Sequence, residues 1–83
     1  TMKELFIKLK EAEEKANKAD AAYEANPYDE ELERAFDEAY AEEYKAFSEM
    51  AAAISKYTEG QISEQLAATM LRSKREQLEK LFA

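Results

Sequence analysis

The chain has no cysteine, no histidine and no tryptophan, and only one glycine and one proline among its 83 residues. Each absence removes a class of chemistry. Without cysteine there are no disulfides to staple a small fold, and without histidine or cysteine the usual zinc and iron sites lack their ligands. One glycine cannot build a glycine-rich phosphate loop. A nucleophile needs a base within reach, and Ser48, Ser55, Ser63 and Ser73 have neither histidine nor cysteine beside them. The reading is a protein that is not an enzyme and carries no cofactor or metal. The longest apolar run is Met50-Ala51-Ala52-Ala53-Ile54, too short for a membrane span. No apolar segment with a cleavage site marks a secretory signal, so a cytoplasmic location is expected. Thr1 ahead of Met2 reads as a remnant before a natural start.

What remains is helix-forming. Ala, Glu, Lys, Leu and Arg dominate, and valine is missing altogether. Met2, Leu5, Leu9, Ala12, Ala16, Ala19 and Tyr23 recur at alternating intervals of three and four, which draws one apolar seam along a single helix over about residues 2–25. Glu4–Lys8, Glu11–Lys15 and Glu14–Lys18 are spaced to support that helix as charge pairs along its surface. Asn26-Pro27-Tyr28-Asp29 interrupts it. Proline forces the residue before it out of helical geometry, and the next helix is capped either by Asn26 or by Asp29.

A second helix is expected over about 29–57, with two apolar stripes: Leu32, Phe36, Ala39, Ala46, Met50, Ile54 and Tyr57, and beside them Phe36, Tyr40, Tyr44, Phe47, Ala51 and Ile54. Two stripes imply two neighbours. Gly60 supplies a left-handed stop, and Ser63 caps a third helix with Ile62 as a hydrophobic staple against Ala67. That helix is expected to run unbroken over about 63–81 on Ala67, Leu71, Leu78 and Leu81. Short connections make successive helices antiparallel. The fold class is therefore all-α and the whole of 1–83 a single domain: an antiparallel hairpin of two long helices braced by a shorter third, a three-helix bundle that a second copy can extend into a dimer. Matching residues about the two turns sets Leu9 near Ala46, Ala19 near Phe36, Leu71 near Glu49 and Leu78 near Glu42. The far end of the hairpin should then stand ~10–15 Å beyond the third helix, from the helix lengths at ~1.5 Å per residue.

Charge is unevenly spread within the net −7. Residues 29–60 hold three Lys/Arg against ten Asp/Glu, whereas residues 61–83 hold four against three. An acidic middle helix repels nucleic-acid backbones and anionic lipid. No direct nucleic-acid partner and no membrane partner is expected, and no small-molecule substrate is identified. Glu30, Glu31, Glu33, Asp37, Glu38, Glu42 and Glu43 read as a solvated face, or else as a decoy for a basic site on a nucleic-acid-binding protein. Arg72, Lys74, Arg75 and Lys80 form the only basic stretch, and Lys74 is expected to lie over the core with its ammonium directed toward Glu42, Glu43 or Glu13.

Aromatic residues offer the candidate partner surface. Tyr23, Tyr28, Leu32 and Phe36 gather at the hairpin tip, where they either close its end, with Tyr28 over the turn, or form a contact patch. Tyr40 and Tyr44, with Phe47, form a strip that reads as core edge or as a self-association surface. The length, hairpin and acidity resemble those of small secreted helical-hairpin proteins of Gram-positive bacteria. The tryptophan-x-glycine turn of that group is absent, and no tyrosine here has an acidic residue four positions on. Nothing is carried over from the resemblance. The function expected is a non-enzymatic helical protein–protein interaction module, self-associating as a homodimer or binding another protein. The alternative is the acidic decoy.

Overall fold

The computed structural model describes residues 1–82, and these form four helices with no strand among them: α1 Met2–Ala25, α2 Glu30–Tyr57, α3 Glu64–Ser73 and α4 Arg75–Leu81. α1 and α2 form the expected antiparallel hairpin. Thr1 does more than precede the first helix. Its hydroxyl accepts the Glu4 amide at 3.2 Å and caps α1. At the turn, Asp29 is the cap of α2, its Oδ1 accepting the Glu31 and Leu32 amides at 2.9 and 3.2 Å. The helix therefore starts after the proline turn and not within it.

Four rungs fix the register of the hairpin: Lys8 to Glu49 at 3.0 Å, Lys15 to Glu42 at 2.9 Å, Asp20 to Tyr40 at 3.1 Å, and the Tyr23 and Phe36 rings at 5.1 Å between centroids. Lys8 and Lys15 thus bond across to α2, and none of the expected Glu4–Lys8, Glu11–Lys15 and Glu14–Lys18 pairs along α1 is formed. Between the rungs lies an alanine seam. Ala16 and Ala39 are both buried, and their small side chains let the helices approach closely where no third helix helps.

At the opposite end Gly60 takes the left-handed conformation (φ 82°), as its position suggests, and Glu59 before it does too (φ 54°). Thr58 organises this turn. Its hydroxyl donates to the Ile54 carbonyl at 3.0 Å and accepts the Ile62 amide at 3.1 Å. Ser63 caps α3 through the Leu66 amide, as expected.

The third helix does not run unbroken to residue 81. It ends at Ser73, and Lys74 (φ −133°, ψ 32°) joins it to α4. α3 runs antiparallel to α2, which places Arg72 over the Phe47 ring. α4 then turns back along α1: Arg75 meets Glu13, Glu79 meets Lys10, and Phe82 meets Phe6 and, at its other edge, Tyr57. The physical reason is burial. A straight helix would carry Leu78 up to the charged surface near Glu42. Folded back, Leu78 is fully buried in one cluster with Phe6, Leu9, Met50, Ile54, Ala67 and Leu71. A buried leucine contributes ~1.5–3 kcal/mol. The interrupted ladder gives up about three exposed backbone bonds, each with a small net worth of ~0.5–1.5 kcal/mol before water replaces it. One of the freed groups finds a new partner within the break: Arg75 Nε donates to the Leu71 carbonyl at 2.9 Å. Lys74 leaves the apolar stripe, stands exposed and enters no ion pair among the described residues; Arg75 takes the role expected of it.

Beyond Glu13 and Glu43 the hairpin continues as a two-helix arm, ~18 Å of α1 at ~1.5 Å per residue. The molecule is accordingly elongated, 46 by 21 by 19 Å.

If α4 closes the core, Leu78→Ala should lower unfolding free energy by ~2–4 kcal/mol in a urea titration, whereas Leu81→Ala, at a side chain 69 % exposed, should change it by no more than ~0.5 kcal/mol.

Candidate functional site

None of the described residues with a charged or polar side chain is buried, and no buried side-chain polar atom lacks a partner. Any chemistry of recognition must therefore sit on the surface. Two neighbouring regions concentrate it: the aromatic face of the arm and the cluster at the arm's root.

The arm face is built on α2. Phe36 and Tyr40 are one turn apart, so their side chains lie on one face, and their rings approach to 4.6 Å between centroids. Tyr23 reaches Phe36 from α1, which makes a row of three rings across the hairpin. The Tyr40 hydroxyl donates to Asp20 Oδ2 at 3.1 Å. That bond, then partial desolvation and the nearby charges of Asp20, Glu43 and Glu24, hold the phenol above its ordinary value of 10.0. It stays a donor throughout the neutral range. Leu32 is half-buried at the same end.

The six sequence-nominated residues thus divide. Tyr23, Phe36 and Tyr40 are brought together, and Leu32 lies on the same helix one turn before Phe36. Tyr44 stands apart on the next turn, 75 % exposed, and Tyr28 is 98 % exposed at the turn. Tyr28 therefore does not cover the turn, because a ring in that position has no neighbouring helix to lie on. Phe47, read with Tyr40 and Tyr44 as one strip, is half-buried against the core, while its two companions face outward above the end of α3.

Glu13, Glu43, Tyr44, Phe47, Leu71, Arg72 and Arg75 line an open cavity of about 570 Å³ at the root of the arm. Its anchor is Arg75, whose two terminal nitrogens donate to the two carboxylate oxygens of Glu13, Nη2 to Oε2 at 3.0 Å. Such a paired contact is stronger and more directional than a single lysine contact. With Nε on the Leu71 carbonyl, the guanidinium locks the end of α3, the start of α4 and the middle of α1 together. Arg72 lies 4.9 Å over the Phe47 ring. Glu43 completes the cluster. Desolvation, followed by repulsion from Glu13, raises its carboxyl above 4.5, and the attraction of Arg75 offsets part of that.

Glu13, Arg72 and Arg75 were not nominated as a site from the sequence. Their meeting depends on the break at Lys74, which no glycine or proline announces. No arrangement of three or more His, Cys, Asp or Glu suited to a metal ion occurs among the described residues, and no described helix is long and apolar enough to cross a membrane. What the cluster can do is hold geometry and present one partly desolvated carboxylate, two guanidinium groups and an exposed tyrosine. No protein-family model, curated protein or solved structure matches the chain.

Removing the anchor tests this account. Arg75→Ala should lower stability by ~1.5–3 kcal/mol, since it leaves Glu13 and Glu43 facing each other, and Arg75→Lys should recover less than half, as read by urea unfolding. Glu43 has the opposite sign. A carboxyl raised in the folded state binds its proton more tightly there than in the unfolded chain, so its contribution favours folding at low pH and is lost as pH rises past 4.5 and through the raised value. Glu43→Gln should therefore raise stability at pH 7, and the gain over the parent should vanish below pH 4.5.

Proposed function

We propose that the chain is a non-enzymatic helical interaction module that self-associates through the arm. The observation that carries this reading is the exposed aromatic face of α2, where Tyr44 is 75 % exposed and Tyr40, bonded to Asp20 at one edge, is 37 % exposed. Aromatic residues anchor many protein interfaces, because they bury a large area at low entropic cost. A body this small also has much to gain from a second copy, since it has no disulfide to add stability.

Charge favours an antiparallel arrangement. Two arms side by side in parallel would bring like charges together along α2. Reversing one copy sets the acidic arm beside the partner's α3–α4 segment, where Arg72, Lys74 and Lys80 are exposed. Closed pairs of this kind are the commonest form of self-association.

The decoy reading draws on a smaller set of groups. Glu42 and Glu49 are engaged by Lys15 and Lys8, which interrupts a backbone-like track of carboxylates. It rests on Glu30, Glu31, Glu33, Asp37 and Glu38, which are exposed and enter no ion pair among the described residues.

Self-association makes the melting temperature depend on protein concentration. Sedimentation should resolve a dimer, and Tyr40→Ala and Tyr44→Ala should each weaken its association constant at least about tenfold, by loss of an interface aromatic. The melting temperature of the dilute Tyr44→Ala protein should stay near that of the parent. A monomer with one melting temperature across about a hundredfold dilution overturns the reading.

A further inference from the structure

We propose that α4 is an exchangeable segment: in the self-associated form, α3 and α4 join as one continuous helix, and α4 of each copy seats on α1 of the other. The inference rests on the self-association reading above and adds its mechanism.

The argument begins at the hinge. Ser73-Lys74-Arg75 contains no glycine and no proline, and Lys74 caps α4 without any side-chain hydrogen bond. All three residues are compatible with a helix, and lysine and arginine favour it. The apolar spacing also runs through the break, since Leu71 and Leu78 are two turns apart on one face of a continuous helix. Local sequence thus favours a straight Glu64–Leu81 segment, and only the seat for Leu78 on α1 bends it back.

That seat is specific. It consists of Phe6 and Leu9 for Leu78 and Phe82, Lys10 for Glu79 at 3.2 Å, and Glu13 for Arg75. Every one of these contacts can be made by α4 of a second copy. An exchanged pair keeps them all and also restores the helical bonds missing at both hinges. This is the condition under which exchange of an identical element is a low-cost route to a dimer. The single chain has the advantage of proximity, so the folded-back form prevails when dilute.

The directions of the helices fit the same arrangement. α4 runs antiparallel to α1 in its seat. Straightened, it continues along α3 toward the arm tip, so the copy that receives it must be inverted about the hinge. Each arm then lies beside the other copy's body, the antiparallel apposition that the charges favour.

The absence of native cysteine makes the test direct. Lys10→Cys and Glu79→Cys, introduced together, place two thiols at the surface contact between α1 and α4. Monomer and dimer are separated by gel filtration, treated with a short bis-maleimide and resolved on a denaturing gel. The dimer fraction is expected to cross-link between chains and the monomer fraction within one chain. Lys74→Gly, which penalises a continuous helix twice per dimer, should weaken dimerisation about tenfold while the monomer keeps its helix content. A dimer that cross-links only within chains, or that is indifferent to Lys74→Gly, overturns the exchange and leaves arm-mediated association standing. A protein that remains monomeric at high concentration overturns both.

Discussion

Leu9, Met50, Ile54, Leu71 and Leu78 are fully buried in one cluster, and each of the four described helices must deliver at least one of them. A chain of this length has no second core to fall back on. The cluster therefore governs the architecture more strongly than local preference does. It holds the foot of the hairpin, sets α3 against α2 and turns α4 back on itself. The arm follows as a remainder, the length of α1 and α2 left over once the short segment has been committed to the cluster.

Electrostatics then works on the surface of that arrangement. Lys8, Lys10 and Lys15 all reach across to other helices, and their pairs with Glu49, Glu79 and Glu42 are largely open to water. Each such pair contributes little, ~0–1 kcal/mol, and together they set register more than stability. Arg75 with Glu13 differs in being half-buried, bidentate and tied to a helix end by a third bond. Like the more exposed Lys10–Glu79 pair it depends on the return of α4, and it pins the bend that exposes the arm root. The burial of Leu78 and the clamp at Arg75 are thus successive parts of one event.

Much of this was legible in the residues. The two long helices, the proline turn, the Ser63 cap and the gathering of Tyr23, Leu32 and Phe36 at the end of the hairpin all follow from spacing and turn chemistry, because those signals act over a few residues or across one tight turn. The bend at Lys74 was not legible. Its cause lies some 65 residues away in sequence, where Phe6 and Leu9 offer a seat, and locally Ser73-Lys74-Arg75 reads as ordinary helix. The candidate site inherits this division. The arm aromatics could be nominated, since they share one helix face. The Glu13–Arg75–Glu43 cluster could not, since it exists only after the bend. A continuous helix would give Lys74 the role that Arg75 takes.

The segment after Gly60 is too short to serve two surfaces at once. Bent, it completes the core and leaves Tyr40 and Tyr44 facing solvent. Straight, it would extend along the arm but withdraw Leu78 from Phe6 and Leu9, and the core would open. A single chain must choose, and the larger apolar gain lies with the core. Two copies need not choose. Under the proposed exchange each straight segment fills the other copy's core while its own arm gains a neighbour. The exposed tyrosines and the hinge without turn residues are then two marks of the same shortage, the first showing what one chain leaves uncovered and the second how a pair would cover it.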